Sequence, residues 1–255
     1  IGFGAIGSAL HAHLQTAKAD VKLVTVLVTD VTKHAPAAWQ ITTDPAAFLA
    51  TGPDLIVECA GQRAFAVHVP NMLAAGYDVI AASAGALADE ALHRAVNAAA
   101  QAGGAQLFVP AGALAGIDAL AGAMHAGLTA VRYARTAPPA TWVKAGVLSE
   151  AAARALTDPV TVFDGNAREA AQRFPKNANV AATLALAGIG FERTRVELIA
   201  DPAATGNTHA IEAHGAFGTL RSSLSTTVIP GTSTSRIVPG SLAQAVVSRA
   251  ARIVV

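Results

Sequence analysis

The sequence predicts an α/β chain in two parts: a doubly wound parallel sheet, followed by a second α+β domain with a mostly antiparallel sheet. Three observations carry this reading. Over the first 110 residues, short β-rich runs alternate with alanine-rich helical runs, which is the pattern of parallel strands joined by crossover helices. From Ala111 onward the strand-like runs become longer. Apolar residues are 53% of the 255 residues and charged residues 14%, enough for a substantial core and too little charge for disorder.

Taken in order, Ile1–Gly4 reads as the end of a first strand. The chain opens inside it, so a preceding segment is expected. Ala5–Ala19 is helical, with Ile6, Leu10 and Leu14 at four-residue spacing. Strands are expected at Val21–Thr29, Leu55–Cys59, Asp78–Ala81 and Leu107–Val109, with helices at Ala64–Ala75 and Asp89–Gly103. The small-residue segment "AGALAGIDALAGAMHAGL" (111–128) reads as one connecting helix. Strand character returns at Ala130–Thr136, Val160–Gly165, Arg193–Ala200 and Thr208–Ser225. Helices fit at Asn166–Arg173 and Ala178–Ile189. A last helix over Gly240–Ala251 returns to the first domain. The expected boundaries are 1–110, 111–238 and 239–255.

Bulk composition narrows the function. Net charge is +1 with no basic cluster, which argues against a nucleic-acid partner. The longest uncharged apolar run, Val180–Phe191, is 12 residues, against about 20 for a membrane span. Cys59 is the one cysteine, so no internal disulfide forms and a reducing cytoplasm is expected. His11, His13, His34, His68, His93 and His125 show no ligand spacing, so no metal is expected.

The strongest local motif is "GFGAIG" (2–7). Gly2, Gly4 and Gly7 follow a strand, and Ala5 and Ile6 open a helix. In that setting the glycines permit a tight turn, close approach of a pyrophosphate and close helix packing, while the helix N-terminus offers N–H donors. The motif thus reads 1–110 as a Rossmann-type dinucleotide-binding domain, against a plain glycine turn. Asp30 ends the second strand, 23 residues after Gly7, where an acid bonds the ribose of NAD. Lys33 and His34 follow at once and offer a 2′-phosphate of NADP a partner, so both cofactors stay open, as does a plain turn role for Asp30. "ECAGQ" (58–62) and "AASAGAL" (81–87) sit at strand carboxyl ends, where ligands lie in open α/β sheets. Ala60 and Ser83 are the candidate cofactor contacts there, against a reading of both loops as glycine turns.

"FPKNANVAATLALAG" (174–188) opens a helix. Pro175 precedes it, and Asn177 or Asn179 either caps it or turns an amide to a cofactor or substrate. In Thr208–Phe217, strand alternation puts His209 with Ile211, Ala213 and Phe217, and His214 with Glu212 on the other face. His214 beside Glu212 is a solvated pair. His209 is either a satisfied core histidine or an enclosed acid–base group with a pKa near working pH.

Together the glycine motif, "SAGAL" (83–87), "AGALAGIDAL" (111–120), "FPKNANVAATLALAG" and "ADPAATGNTHAIEAHGAFG" (200–218) resemble the L-aspartate dehydrogenase family, in order over nearly the whole chain. The resemblance implies NAD(P)-dependent oxidation of L-aspartate to iminoaspartate, often feeding NAD biosynthesis, by a homodimer. It implies that 111–238 is the catalytic and oligomerisation domain. It puts cofactor contacts on Ala113 and Asn179, substrate contacts on Asn179 and His209, and the catalytic acid–base role on His209. "VIPGTSTSRIVPG" (228–240) departs from the family's tail, so no substrate contact is carried onto Thr232 to Ser235. A substrate carboxylate needs a cation, for which Lys176 and Arg173 are merely nearby. Two alternatives stand beside this: a related reductase of the dihydrodipicolinate reductase or homoserine dehydrogenase type, and a non-catalytic NAD(P)-binding regulator.

Overall fold

The computed structural model describes residues 1–17, 19–34, 38–174, 178–227 and 234–254. They fall into two units, Ile1–Gly112 with Ile237–Val255, and Ala113–Arg236.

In the first unit α1 (Ala5–Thr16) precedes β1 (Thr25–Leu27) and β2 (Gln40–Thr42). The short α2 (Pro45–Leu49), β3 (Ile56–Glu58), α3 (Gln62–Ala74), β4 (Val79–Ala81), α4 (Glu90–Gly103) and β5 (Leu107–Phe108) follow. All ladders are parallel: β1 with β2, β3 with β4, and β4 with β5. The opening residues join the two groups. Gly2 N–H donates to Leu27 O at 2.9 Å, and Cys59 N–H donates to Ile1 O at 3.0 Å. The resulting order runs β2, β1, Ile1–Gly2, β3, β4, β5, with the direction of winding reversing at the first segment. That reversal creates the crevice at which such sheets bind ligands. β1 and β4 are buried throughout, as expected of strands covered on both faces. The expected strand 21–29 shortens to β1, since its first four residues stay partly or fully exposed.

In the second unit the expected 111–128 helix is reduced to α5 (Ile117–His125). Gly112 and Gly116 adopt φ of +63° and +79°, a left-handed conformation that no α-helix contains. Then come β6 (Leu128–Ala137), α6 (Pro139–Lys144), α7 (Glu150–Ala155), β7 (Val160–Asn166), α8 (Ala167–Arg173), α9 (Ala178–Ala187) and β8 (Thr194–Ala200). Asn166 and Glu169 form a capping box at α8. The expected run 208–225 is a hairpin of β9 (Asn207–Gly215) and β10 (Gly218–Thr226), turning at Ala216–Phe217. The sheet order is β10-β9-β6-β8-β7, and the β6–β8 pairing alone is parallel.

The two faces of this sheet differ. One is buried and carries Tyr133, Arg135, Asn207, His209, Ile211, Val196 and Leu198. The other carries ion pairs, among them Arg132–Glu197, Arg195–Asp164 and Arg221–Glu212. The chain then re-enters the first unit as α10 (Ile237–Ala250). Leu242, Ala245 and Val246 of α10 pack in one cluster with Leu10 and Ile80. Among the described residues no helix is long and apolar enough to cross a membrane.

Candidate active site

The first unit gathers most of the expected cofactor residues at the carboxyl ends of its strands. Gly2 sits at φ +82°, and a Cβ there would lie 2.7 Å from the Ala60 Cβ. A Cβ on Gly7 would lie 2.8 Å from the Gly2 carbonyl oxygen. The fold itself therefore requires these two glycines. Gly4 is different: a Cβ there meets nothing within 4 Å. Gly4 is the N-cap of α1, and no side chain caps that helix end. An uncapped helix start beneath an open glycine surface, with the amides of Ala5, Ile6 and Gly7 in its first turn, suits a pyrophosphate.

Glu58 organises the same edge, and the sequence reading passed over it. Its side chain is fully buried. Oε1 accepts from Ala60 N at 2.7 Å, Gly61 N at 3.0 Å and Ser83 Oγ at 2.9 Å, while Oε2 accepts from Ser83 N at 3.1 Å. Burial raises its pKa, and the donors from Ala60, Ser83 and Gly61 oppose that rise. One carboxylate thus ties the loop after β3 to the loop after β4, fixing both Ala60 and Ser83. The available signal was an acid closing an otherwise buried strand.

Asp30 lies just past β1 and caps a 3-10 turn. Its Oδ1 accepts from Thr32 N at 3.0 Å and Thr32 Oγ1 at 2.6 Å, and Lys33 Nζ lies 3.3 Å from Oδ2. These hydroxyl and amide donors, with the Lys33 charge, lower its pKa. His34 and Phe3 meet with ring centroids 6.2 Å apart.

In the second unit His209 is 6% exposed on the buried sheet face. Tyr133 reaches it from β6, with Oη 2.7 Å from Nδ1. Arg135 is the cross-strand partner of His209 in the β6–β9 register. Arg135 Nη2 donates to Asn207 Oδ1 at 2.9 Å, and its guanidinium lies 5.2 Å from the Trp142 ring centroid. Burial first, and then the Arg135 charge, lowers the His209 pKa to about 4. This departs from the expected value near working pH, because an apolar surround and a nearby cation both disfavour imidazolium. Burial also raises the Tyr133 pKa and lowers that of Arg135. His214 lies on the opposite face, 3.2 Å from Glu212 and 3.1 Å from Thr219 Oγ1, a surface pairing as alternation requires.

Ala113 is buried in the turn that begins this unit. Asn179 is partly buried and is the second residue of α9, so it lies within the first turn rather than at its cap. Arg173 lies over the rings of Phe163 and Phe174. Pro175, Lys176, Asn177 and Thr232 lie outside the described residues.

Comparison with known proteins fits both halves of the chain. Residues 118–249 match the family described as "Aspartate dehydrogenase, C-terminal", and residues 2–110 match "Homoserine dehydrogenase, NAD binding domain". L-aspartate dehydrogenase 1 of Bordetella pertussis is 45% identical over 251 residues, covering 96% of this chain and 93% of the relative. L-aspartate dehydrogenase of Ralstonia pickettii is 43% identical over 227 residues, covering 86% and 84%. The crystal structure of aspartate dehydrogenase from Thermotoga maritima superposes with a TM-score of 0.77 at 24% identity, covering 100% of this chain and 96% of that one, and shares the fold. The NAD-binding half alone would also suit a homoserine dehydrogenase, but with the second half and the full-length relatives taken together, this chain belongs to the aspartate dehydrogenase family.

Proposed function

We propose that the protein oxidises L-aspartate to iminoaspartate with NAD or NADP, using His209 as the acid–base group. In this reading Ile1–Gly112 with α10 binds the dinucleotide and Ala113–Arg236 holds the amino acid. The observation that carries the reading is a buried histidine, tyrosine and arginine converging on one sheet face in a chain of this family.

The cofactor supplies the hydride acceptor. The residues for it are Gly2, Gly4, Ala5, Ile6 and Gly7 at the diphosphate, Ala60 and Ser83 at the loops pinned by Glu58, and Asp30 at the ribose; the family resemblance adds Ala113 and Asn179. Asp30 favours a free 2′-hydroxyl, and Lys33 offers a 2′-phosphate its partner.

Loss of hydride from Cα requires a neutral amine. His209, held neutral by burial and by Arg135, has a lone pair to accept the ammonium proton. For Nε2 to accept, Nδ1 must carry the ring's own proton and donate it to Tyr133 Oη. Tyr133 Oη is then the acceptor that keeps that proton on Nδ1. In the reverse direction the same nitrogen returns the proton. The imine then hydrolyses to oxaloacetate and ammonia, or passes into NAD biosynthesis. We place the enzyme in the cytoplasm, on its single cysteine, and as a homodimer, on the family resemblance.

The test is a substrate screen with NAD and NADP together with two variants. The wild type should reduce the cofactor with L-aspartate and not with other amino acids. His209→Ala should lower kcat at saturating aspartate by about 10²–10⁴-fold, the usual range for lost acid–base help. His214→Ala should stay near wild type. A loss of less than about tenfold in His209→Ala would remove the acid–base role.

A further inference from the structure

In the first unit, three N–H groups and a hydroxyl from two separate loops point at one buried carboxylate. We propose that Glu58 is a positioning residue for the cofactor: it draws these donors inward and so turns backbone carbonyl oxygens of both loops outward, to accept from the ribose hydroxyls or the carboxamide of the nicotinamide half. The assignment rests on the dinucleotide binding proposed above.

A trans peptide is planar, with its N–H and C=O directed oppositely, and the peptides here are trans. The amides of Ala60, Gly61 and Ser83 face Glu58, so the carbonyls of Cys59, Ala60 and Ala82 face away from it. No backbone donor among the described residues reaches those three oxygens. Ala60 and Gly61 are exposed, and Cys59 and Ala82 partly so. A Cβ on Gly61 would meet nothing within 4 Å. The outer side of the loop after β3 is therefore open and offers acceptors.

Local preference alone would not hold this arrangement. Gly61 has φ +98° and ψ 165°, a region left to glycine and kept only where the surroundings impose it. Ser83 is the N-cap of the 3-10 helix Ala84–Ala88, where a serine side chain ordinarily accepts from the helix. It makes no cap bond and gives its proton to Glu58 instead. An ionised carboxylate, which only accepts, can satisfy four donors at once.

Sheet order decides which half of the cofactor meets these loops. Asp30 lies past β1 on one side of the glycine loop, and the loops after β3 and β4 lie on the other. With one ribose at Asp30 and the diphosphate at the glycines, the second ribose and the nicotinamide fall to β3 and β4. That half carries hydroxyl and amide donors, which carbonyl oxygens match. The diphosphate carries acceptors and matches the amides that open α1. The first unit orients the dinucleotide by polarity, and Glu58 sets the polarity of one end.

The experiment uses the full chain with Glu58→Gln, Glu58→Asp and Ser83→Ala, each titrated with NADH, ADP-ribose and ADP. ADP occupies the Asp30 and glycine-loop positions alone. Glutamine sets an amide N–H₂ against at least one inward N–H. Glu58→Gln should therefore weaken NADH by about tenfold or more, with ADP within about twofold of wild type. Glu58→Asp, which keeps both acceptors on a shorter stem, should fall between. Ser83→Ala removes one donor of the four and should weaken NADH by about fivefold, again sparing ADP. ADP-ribose identifies the donor: in Glu58→Gln it weakens with NADH if the ribose hydroxyls are held, and follows ADP if the carboxamide is held. NADH within about twofold of wild type in the Glu58 variants would overturn the assignment, as would equal losses of NADH and ADP, which a merely structural carboxylate would give. If the Glu58 variants do not fold, judged by far-UV circular dichroism, Ser83→Ala decides by the same ratio. A wild type that binds NADH but does not oxidise aspartate would refute the proposed reaction and leave the role of Glu58 standing. A wild type that binds neither NADH nor NADPH would remove the dinucleotide reading and this assignment with it.

Discussion

His209 and His214 lie five positions apart on one strand and meet different surroundings. His214 is exposed beside Glu212, open to water and 3.2 Å from its carboxylate. His209 is enclosed between Tyr133 and the neighbouring strands, with Arg135 opposed to it. Its pKa falls from 6.5 to about 4, which ties it to stability. A histidine depressed in the folded state binds its proton more readily when unfolded. Its contribution is therefore complete above about pH 6.5 and is lost as pH falls toward about 4, where the unfolded chain takes up the proton first. The full difference is on the order of 3 kcal/mol for a shift of this size. Urea unfolding of wild type and His209→Gln, compared at pH 7.5 and 4.5, should show wild type losing more stability on acidification. Parallel losses would mean that His209 does not carry the depressed pKa. At Tyr133, replacement by phenylalanine removes the bond to Nδ1 and keeps the ring. It should lower kcat about tenfold, because the Nδ1 proton loses its acceptor and the ring its orientation, while leaving NADH affinity at the wild-type level.

At the scale of the element, the loop into α1 separates two kinds of glycine. Gly2→Ala meets Ala60 at 2.7 Å with φ positive, so it should cost stability before any question of cofactor arises. Gly4→Ala meets nothing within 4 Å and φ there is −83°. Its stability should change by under about 1 kcal/mol, the scale of an N-cap substitution. Its cofactor affinity should nevertheless fall about tenfold or more, since the methyl would occupy the surface needed by the pyrophosphate. Thermal melts with NADH titrations check the pair, and equal losses of stability would contradict the distinction. This motif was legible because everything that defines it lies within six residues of chain. Other features depend on distant pairings. The Glu58 clip collects donors from a loop 25 positions away, the Tyr133–His209 bond spans 76 positions, and the Arg135–Asn207 bond spans 72. Alternation placed His209 on the inner face but did not show which strand would lie beside it. The 111–128 helix misled for another reason. Its small residues suit helix packing, while Gly112 and Gly116 adopt left-handed conformations that hold the helix start back to Ile117, and Gly127, also left-handed, lies just past its end at His125.

At the scale of the whole molecule, the two ends of the chain build one unit. Ile1–Gly112 supplies the parallel sheet and its first helices, and Ile237–Val255 completes the same unit after the five-stranded sheet has been made. α10 sets Leu242, Ala245 and Val246 against Leu10 of α1 and Ile80 of β4. Leu10 stands about two turns into α1, the helix that begins at the glycine loop, so α10 supports that helix from behind. Leu242→Ala should therefore act at a distance. Leu242 is completely buried, and such truncations cost about 2–5 kcal/mol. If the cost falls on the first unit, NADH should weaken and the melt of the first unit should drop, while saturating NADH should recover much of the loss. A ligand at 100 times its Kd adds about 2.7 kcal/mol to the state that binds it. Deleting residues 237–255 removes the whole helix and should abolish NADH binding, with the sheet of Ala113–Arg236 left to give the remaining β signal in far-UV circular dichroism. A truncated chain that still bound NADH at wild-type affinity would show that the first unit closes without its C-terminal helix, and would overturn the support role assigned to α10.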